Sequence, residues 1–432
     1  MPKVLIITYY WPPSGGAGVQ RWLKFSKYLH EFGWSGIVYT PENPEAPATD
    51  TSLLADVSPH LTVVKRPIWE PYRLYKMFTR QKKNQPVNAG FLSETKKPGL
   101  AERFSVWLRG NLFIPDARRF WIRPSTRFLK TYLQINPVDL IVSTGPPHSM
   151  HLIAMSLHRS LHIPWVADFR DPWTNIDFYK DLMLTRWADK RHRKLEKKVL
   201  QSANHVITIG ESMKNEFVAL GAKNISVITN GYDEEDFNAG NIMPGKPFSI
   251  VHIGSINRDR NPRLLWQCLS GLVKENTRFA ESLQIRLVGK TDLEVWNDLE
   301  KTELMPYVER IDYLPHTEAV KEMFSAQVLL LLINNSFNAK GILTGKFFEY
   351  LASRRPILAV GPVDGDIASI LKETGMGSIT DFDNEEGMLA QIKMLFSRYE
   401  KGELSAGAGN TLAYSRRELT RRLTSLFNQF IP

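Results

Sequence analysis

Cysteine is almost absent from this chain of 432 residues, in which Cys268 stands alone. One cysteine cannot form an internal disulfide or a cysteine-based metal cluster, and this scarcity is typical of a reducing compartment. Apolar runs are also short: none approaches the roughly 20 residues that span a bilayer. The run at residues 4–7 is too short for the core of a signal peptide. We therefore expect a cytoplasmic protein that is not integral to a membrane.

Acidic residues are in deficit as well, with 45 Asp and Glu against 55 Lys and Arg, a net charge of +10. This excess favours anionic partners, namely nucleotide phosphates, nucleic acid or an anionic membrane surface. Nucleic acid is not expected, because no nucleic-acid motif accompanies the charge. Basic and aromatic residues alternate in segments 69–83 and 186–198, which is typical of a helix lying on a bilayer. This predicts a peripheral position on the inner face of the cell membrane; a solvated basic helix face is the alternative.

The N-terminal segment predicts a β-α-β unit with a glycine loop at its first turn. A strand at residues 3–9 leads into Gly15, Gly16 and Gly18, and a helix follows from about residue 19 to residue 32. Open α/β sheets bind phosphates at such a turn, although a tight turn alone would also require glycines. Arg21, on the first turn of this helix, is either close to that site or an exposed helical residue.

Two series of strands alternating with helices predict two Rossmann-like domains covered on both faces. We assign residues 1–240 to the first domain, with an insertion at about 67–125, and residues 246–410 to the second. The final segment, residues 411–432, is a helix expected to pack back on the first domain. Residues 238–247 have the composition of a linker.

The most informative segment is residues 344–352, followed by an apolar strand at 356–360. Thr344, Gly345 and Lys346 form a helix start, where free N–H groups and the helix dipole favour an anion. Glu349 lies one turn further along, where a carboxylate can accept both hydroxyls of a ribose. An ordinary amphipathic helix on a strand is the alternative.

Polar loops follow other predicted strands. Arg258 and Arg260 come shortly after Gly254, and guanidinium groups there would stabilise a leaving diphosphate. In the first domain, His148 follows a Gly-Pro-Pro sequence and could bind a sugar or cap a helix. Asp171 is a candidate base, or else part of an internal Asp–Arg pair that fixes its loop.

Five stretches together resemble the family 4 retaining glycosyltransferases of the GT-B fold, over most of the chain except roughly 45–130. They are residues 15–18, 196–209, 230–237, 252–255 and 345–356. The resemblance implies two facing Rossmann-like domains with a deep cleft between them. It also implies an acceptor site in the first domain and a nucleotide-sugar site in the second.

The resemblance implies a set of site residues. The catalytic residues would be His148, Asp171 and Arg260. The donor site would hold Gly15, Gly16, Gly18, Gly254, Arg258, Arg260, Thr344, Gly345, Lys346 and Glu349. No metal is expected, and no cofactor beyond the nucleoside diphosphate sugar. The family usually has a glutamate where this chain has Gly341, and an arginine where it has Ser255.

We therefore expect an enzyme that moves a sugar from a nucleoside diphosphate sugar to an acceptor hydroxyl with retained configuration. A lipid-linked or cell-surface polysaccharide precursor is the expected acceptor. One alternative is a nucleotide-sugar epimerase of similar fold, and another is a non-catalytic nucleotide-sugar or glycan-binding protein. A dinucleotide oxidoreductase is disfavoured, because Tyr39 and Thr40 stand where such enzymes carry an acidic residue.

Overall fold

The computed structural model describes residues 1–46, 48–70, 100–237, 242–404 and 409–431. The chain divides into two compact units. The first contains residues 1–229 together with 416–432, and the second contains residues 230–415. Each unit is built on a parallel sheet with helices on its faces. The predicted insertion at 67–125 lies partly outside the described residues.

The first unit has a sheet of seven strands within the described residues, in the order β3-β2-β1-β4-β5-β6-β7. The strands are β1 (Lys3–Ile7), β2 (Ser35–Pro41), β3 (Leu61–Arg66), β4 (Leu140–Gly145), β5 (Trp165–Phe169), β6 (His205–Thr208) and β7 (Ile225–Val227). The helices are α1 (Ala17–Tyr28), α2 (Leu100–Leu112), α3 (Arg119–Ile135), α4 (Ser149–Leu161), α5 (Arg186–Ser202) and α6 (Glu211–Ala219). Chain order reverses between β1 and β4, so their following loops diverge and leave a crevice at that edge.

Packing on this sheet follows from the sequence pattern. β1 and β4 are buried along nearly their whole length because helices cover both faces of a parallel sheet. The helix α3 carries a strongly one-sided apolar stripe, and its Trp121 stacks on Tyr39 of β2 with 4.9 Å between ring centroids. Residues 119–125, the C-terminal end of the predicted insertion, are therefore part of a helix that covers the sheet.

The second unit repeats the plan with six strands in the described residues, in the order β10-β9-β8-β11-β12-β13. The strands are β8 (Phe248–Ile253), β9 (Leu283–Val288), β10 (Val308–Ile311), β11 (Val328–Leu332), β12 (Ile357–Val360) and β13 (Gly377–Thr380). The helices are α7 (Arg263–Glu275), α8 (Thr277–Ser282), α9 (Leu293–Lys301), α10 (His316–Ser325), α11 (Gly345–Ser353), α12 (Asp366–Thr374) and α13 (Glu385–Glu400). Here chain order reverses between β8 and β11.

The last helix, α14 (Arg416–Phe427), belongs to the first unit and packs on α1. Leu419, Leu423 and Phe427 are fully buried there. Trp34 makes an edge-to-face contact with Phe427 at 5.2 Å and donates a hydrogen bond to Asn428 Oδ1 at 3.0 Å. The apolar spacing of three and four residues along α14 explains why it returns to this core.

Candidate active site

The carboxyl end of β8 carries a glycine that brings a lysine close to the backbone. Gly254 has φ +116, a conformation that side chains rarely adopt, and a Cβ there would lie 2.8 Å from Lys346 Nζ. The lysine is the second residue of α11, which follows β11. The reversal of chain order between β8 and β11 therefore brings Gly254 and the start of α11 together.

The ammonium group of Lys346 lies against a neutral histidine. His252 Nδ1 donates to the carbonyl oxygen of Leu330 at 2.9 Å, so its Nε2 is the unprotonated atom that faces Lys346 Nζ at 3.3 Å. Burial, followed by the charge of Lys346, holds the pKa of His252 well below its usual range. Burial and the charge of Arg260 lower the pKa of Lys346 to about 7, although Glu349 opposes them.

Arg260 is the second cation of this cluster. Its Nε donates to Asn334 Oδ1, and its Nη1 lies 3.5 Å from the carbonyl oxygen of Ser255. Arg258, two residues earlier in the same short 3-10 helix, faces away: its side chain is 75% exposed and pairs with Glu294 at 3.3 Å. The structure thus groups Arg260 with Lys346 and leaves Arg258 on the surface.

The start of α11 has no side-chain cap. The hydroxyl of Thr344, the residue before the helix, accepts no capping bond, and its Oγ1 is buried without a hydrogen-bond partner among the described residues. At Gly345, no described residue outside its own helix turn and chain neighbours lies within 4 Å of the position of a Cβ. Open space therefore adjoins a helix end whose N–H groups and dipole attract an anion.

Glu349 lies one turn into α11 and is half-buried among apolar neighbours. Its charge raises the pKa of Lys346, against the effects of burial and of Arg260, so the carboxylate and the ammonium group are close enough to interact. The next residue, Tyr350, is fully buried and accepts a hydrogen bond from the backbone N–H of Ile253 at 2.9 Å. This bond fixes the position of α11 relative to the end of β8.

A pocket of about 380 Å³ adjoins this cluster at the carboxyl ends of β11 and β12. Arg260, Ile333, Asn335 and Phe382 are among its lining residues. Its lining combines apolar strand ends with charged loop residues, as ligand sites do.

The loop between β11 and α11 holds the position where the family usually has a glutamate. Gly341 ends a short 3-10 helix there, and the preceding Lys340 forms an exposed ion pair with Asp364 at 2.5 Å. Gly365 packs against the backbone of Lys340, since a Cβ on that glycine would lie 2.9 Å from its carbonyl oxygen. Lys340 thus has an acidic partner on a neighbouring loop.

In the first unit, Arg170 holds two loops together. Its Nη1 donates to the carbonyl oxygen of Gly18 at 2.7 Å, and its Nη2 donates to that of Pro146. A Cβ on Gly18 would lie 2.9 Å from the ring of Tyr10 and 3.2 Å from Arg170 Nη1. Gly16, the residue before α1, has φ +92, a conformation that favours glycine. The predicted glycine loop is therefore packed against the loop that follows β4.

Arg21 is not an exposed helical residue, so that alternative of the sequence analysis was wrong. It is 1% exposed and pairs with Asp168, which is fully buried, at 2.8 Å. Its Nη1 and Nη2 donate to the carbonyl oxygens of Thr229 and Ile228. Trp22 Nε1 donates to the same carboxylate at 2.7 Å. Burial raises the pKa of Asp168, but the charge of Arg21 and these hydrogen bonds outweigh it and hold the pKa below its usual value.

His148 and Asp171 lie on adjacent loops of the first unit. The ring of His148 is 8% exposed and stacks on Trp173 with 4.4 Å between centroids and 1° between planes. Burial, with the charges of nearby histidines and Arg170, holds the pKa of His148 well below its usual range. Asp171 is half-buried, and burial raises its pKa although Arg170 opposes the shift.

The helix-to-strand stretch at 196–209 supplies an internal anchor for these loops. Glu196 of α5 is 1% exposed and accepts hydrogen bonds from the backbone N–H groups of Trp173 and Thr174. The hydroxyl of Thr174 donates to it as well, at 2.6 Å. Sequence reasoning noted this stretch only as a motif. A glutamate in line with Ala188, His192 and Val199 on the buried face of α5 was the signal that could have identified its role.

The opposite face of α5 is basic and exposed. Trp187 is 60% exposed, and the guanidinium of Arg191 lies 5.3 Å from its ring centroid. The exposed cations of this face are Arg186, Lys190, Arg191, Arg193, Lys194, Lys197 and Lys198. Of the other predicted membrane segment, 69–83, all but residues 69 and 70 lie outside the described residues.

None of the helices in the described ranges is both long and apolar enough to cross a membrane. No group of three or more His, Cys, Asp or Glu side chains in that part of the chain is arranged to hold a metal ion.

The predicted site residues thus fall into two groups. Gly254, Thr344, Gly345, Lys346, Glu349 and Arg260 surround the switch point of the second unit, and Arg258 does not. Gly15, Gly16, Gly18, His148 and Asp171 lie on loops of the first unit. His252, the neutral partner of Lys346, is the neighbour that sequence reasoning missed; a histidine inside an apolar strand was its only signal.

Comparison with known proteins agrees with this architecture. Residues 91–236 match the family model Glycosyltransferase Family 4. Sucrose-phosphate synthase from Thermosynechococcus elongatus is similar with a TM-score of 0.61 and 12% identity, over 99% of both chains. HepE from Anabaena in complex with UDP-glucose has a TM-score of 0.58 and 12% identity, again over 99% of both chains. The lipopolysaccharide outer core galactosyltransferase WaaB gives the same values as HepE.

No curated protein matches the chain by sequence. The structural matches confirm the predicted α/β fold with two Rossmann-like domains of the GT-B type. The family match over residues 91–236 confirms the predicted resemblance to family 4 glycosyltransferases.

Proposed function

We propose that this chain, whose fold and family match are those of family 4 glycosyltransferases, transfers a sugar from a nucleoside diphosphate sugar to an acceptor hydroxyl with retained configuration. One observation carries the proposal: Lys346 and Arg260 lie close together beside the uncapped start of α11. Two cations held near each other repel, and a diphosphate between them would remove that repulsion.

The donor binds to the second unit. Its diphosphate lies against Lys346, Arg260 and the N–H groups at Gly345, with Gly254 leaving room for the phosphate oxygens. Glu349 accepts hydrogen bonds from the ribose hydroxyls. Thr344 Oγ1, buried without a partner among the described residues, donates to the donor as well. These cations stabilise the negative charge that grows on the leaving phosphate.

Retention follows from attack on the face that the diphosphate leaves. The bond between the anomeric carbon and the phosphate oxygen breaks while a bond to the acceptor oxygen forms. The leaving phosphate takes the proton of the acceptor hydroxyl, so this step requires no bound metal. The first unit binds the acceptor, with His148 and Asp171 facing its hydroxyls. Asp171 accepts a hydrogen bond from an acceptor hydroxyl and orients it, while the leaving phosphate takes the proton.

A thermal-shift screen of UDP-, GDP-, ADP- and TDP-sugars tests donor binding, because a ligand of the native state raises Tm. We expect one base to give the largest rise. Glu349→Gln should weaken the binding of that donor by roughly 10- to 100-fold, because it removes charge-assisted hydrogen bonds to two hydroxyls. Glu318→Gln is the control, because Glu318 forms only a surface pair with Lys321 in the same unit. A full Tm rise in Glu349→Gln would contradict the assignment.

The same donor separates the transferase from its alternatives. Nucleotide-sugar epimerases share the fold, so architecture alone does not decide. A transferase releases the nucleoside diphosphate when a lipid extract containing saccharide acceptors is added. An epimerase converts the sugar without any acceptor, and a non-catalytic binding protein stabilises with the donor and releases nothing.

The acceptor is a lipid-linked or cell-surface saccharide precursor met at a membrane, to which segments 69–83 and 186–198 attach the chain. The exposed basic face of α5 supports this proposal. The triple change Lys190→Ala, Lys194→Ala and Lys197→Ala should lower co-sedimentation with phosphatidylglycerol vesicles, at about 1 kcal/mol per lysine. Removing Lys274, Lys301 and Lys321 from the second unit changes net charge equally and should not. Equal losses in the two triple variants would refute a local membrane surface.

A further inference from the structure

The pocket at the carboxyl ends of β11 and β12 combines an apolar floor with a polar rim. Leu332 and Val360, the last residues of the two strands, line it together with the half-buried Phe382. Asp259 and Asp383 also line it, and both are exposed. Neither carboxylate forms a hydrogen bond or an ion pair with the described residues. The pocket therefore offers an apolar surface and two available hydrogen-bond acceptors to one ligand.

The pocket lies on the opposite flank of the sheet from α11. The connection from β8 through α7 to β9 and the connection from β11 through α11 to β12 run in opposite directions along the sheet. Connections between parallel strands are right-handed, so these two helices cover opposite faces. α7 packs against α13, and the first residue of each helix lines the pocket. Glu349 of α11 is therefore on one flank of the sheet, and the pocket is on the other.

Arg260 connects this pocket to the proposed diphosphate site. It lines the pocket, and its charge also lowers the pKa of Lys346. The backbone N–H of Asn335 donates to the carbonyl oxygen of Asp259 at 2.9 Å, which fixes the wall next to Arg260. A donor with its ribose at Glu349 and its diphosphate at Lys346 and Arg260 would direct its remaining group, the sugar, towards the pocket.

The loop between β11 and α11 has no carboxylate for sugar hydroxyls, because residues 334–348 contain neither Asp nor Glu. Ionised carboxylates are the strongest acceptors that side chains offer to hydroxyl groups. The pocket supplies three of them, from Asp259, Asp383 and Glu385. Of the two arginines in its lining, Arg263 is already paired with acidic residues of α9. This lining suits a ligand rich in hydroxyls and disfavours one that carries a negative charge.

We propose that this pocket holds the glycosyl group of the donor, and that this group is a neutral, hydroxyl-rich sugar and not a uronic acid. Asp259 and Asp383 accept hydrogen bonds from its hydroxyls, and Phe382 contacts an apolar face of the ring. A carboxylate on the sugar would lie against these acidic residues and be repelled. The volume of about 380 Å³ is near the lower end of the range for ligand sites, so it suits one sugar ring. This inference rests on the proposed function, because it requires a nucleoside diphosphate sugar at Arg260.

Paired ligands separate the pocket from the diphosphate site. Calorimetry would compare UDP with UDP-glucose, GDP with GDP-mannose, ADP with ADP-glucose and TDP with TDP-glucose. For the pair that binds best, Asp383→Ala should weaken the nucleotide sugar about tenfold and the bare nucleoside diphosphate by less than about twofold, since only the sugar contacts Asp383. Glu386→Ala is the matched control, because Glu386 is an exposed acid three residues away that does not line the pocket. An equal change for the two ligands, or none for the nucleotide sugar, would overturn the proposal.

The charge of the sugar provides a second test. UDP-glucose and UDP-glucuronic acid differ by one carboxylate, as do GDP-mannose and GDP-mannuronic acid. The wild-type protein should bind the neutral member at least about tenfold more tightly, because the acidic member meets like charges. The double change Asp259→Asn and Asp383→Asn keeps the size of both side chains and should reduce this preference. A wild-type preference for the uronic acid, or an unchanged ratio in the double variant, would overturn the proposal.

The same measurements distinguish this inference from the proposed function. A wild-type protein that binds neither nucleoside diphosphates nor nucleotide sugars would refute the proposed function, and the sugar pocket with it. A wild-type protein that binds both, with Asp383→Ala binding both equally well, would refute the sugar pocket alone.

Discussion

The two switch points of this molecule have the same topology and opposite chemistry. In the first unit the charges at the edge between β1 and β4 are matched internally, with Arg21 on Asp168 and Arg170 on backbone carbonyl oxygens. In the second unit, Lys346 and Arg260 lie beside the edge between β8 and β11. Their positive charges repel, and the charge of Arg260 lowers the pKa of Lys346. The first edge pairs its cations with a carboxylate and carbonyl oxygens, and the second brings two cations together beside an uncapped helix start.

This difference teaches that the fold supplies the place and the loops supply the chemistry. A parallel sheet whose order reverses always leaves a crevice at the strand ends. What enters that crevice depends on which charges surround it. Neutral histidines and a buried ion pair suit a hydroxyl-rich ligand, whereas a neutral His252 beside two cations suits a phosphate.

The largest effect is expected from breaking the internal pair of the first unit. Asp168→Asn leaves Arg21 buried without a counter-charge, which should lower the free energy of unfolding by about 3–5 kcal/mol. Denaturant unfolding of the purified variant measures this. Glu211→Gln, which breaks the exposed pair with Lys214 in the same unit, should change it by less than about 1 kcal/mol. Similar losses in the free energy of unfolding of the two variants would show that the buried pair stabilises the fold no more than an exposed pair does.

The second effect concerns the cations of the other switch point and has a defined pH dependence. The pKa of Lys346 is lowered to about 7 in the free protein, chiefly by burial. A bound diphosphate favours the charged lysine and raises this pKa, so binding takes up a proton above pH 7. As the pH rises above 7, the affinity for a nucleoside diphosphate sugar should therefore fall, by up to about tenfold per pH unit. Calorimetry in buffers of different ionisation enthalpy would measure the proton uptake.

Lys346→Arg is the matched control for that measurement, since a guanidinium keeps its charge throughout this range. It should bind the donor with little dependence on pH, and Lys346→Gln should bind weakly at every pH. The lowered pKa also has a consequence for stability. The unfolded chain binds more protons between the folded pKa of about 7 and the ordinary value of 10.5, so stability should rise with pH in that window. A wild-type affinity that is constant above pH 7 would contradict the placement of Lys346 against the phosphates.

The central strands were predictable from sequence, and three of the four edge strands were not; the exception is β7. Near-continuous apolar runs identify β1, β4, β8, β11 and β12, because helices cover both faces of those strands. The prediction missed β3, β10 and β13, which lie at the sheet edges. β10 contains Glu309 and Arg310 at exposed positions. A strand with one neighbour and one solvated side does not carry an apolar signal.

Which residues lie next to each other in the candidate site was predictable only in part. Gly254 and the start of α11 meet because strand ends of a parallel sheet meet, and sequence spacing conveys that. The pairing of Arg21 with Asp168 joins residues 147 positions apart, and no local spacing in the sequence indicates it. Which of Arg258 and Arg260 faces inward depends on one short 3-10 helix, whose orientation has no sequence signature.

The smallest effect is therefore also the sharpest test of the comparison. Arg258→Ala should change donor affinity by less than about twofold, because a 75% exposed arginine paired with Glu294 contributes little. Arg260→Ala should lower donor affinity by roughly 10- to 100-fold, because it removes a charge-assisted contact to a phosphate. The two variants remove the same group two residues apart, so general charge and loop composition are controlled. Equal losses of donor affinity would mean that both arginines act through long-range attraction. The closeness of Arg260 to Lys346 would then not distinguish the second unit from the first.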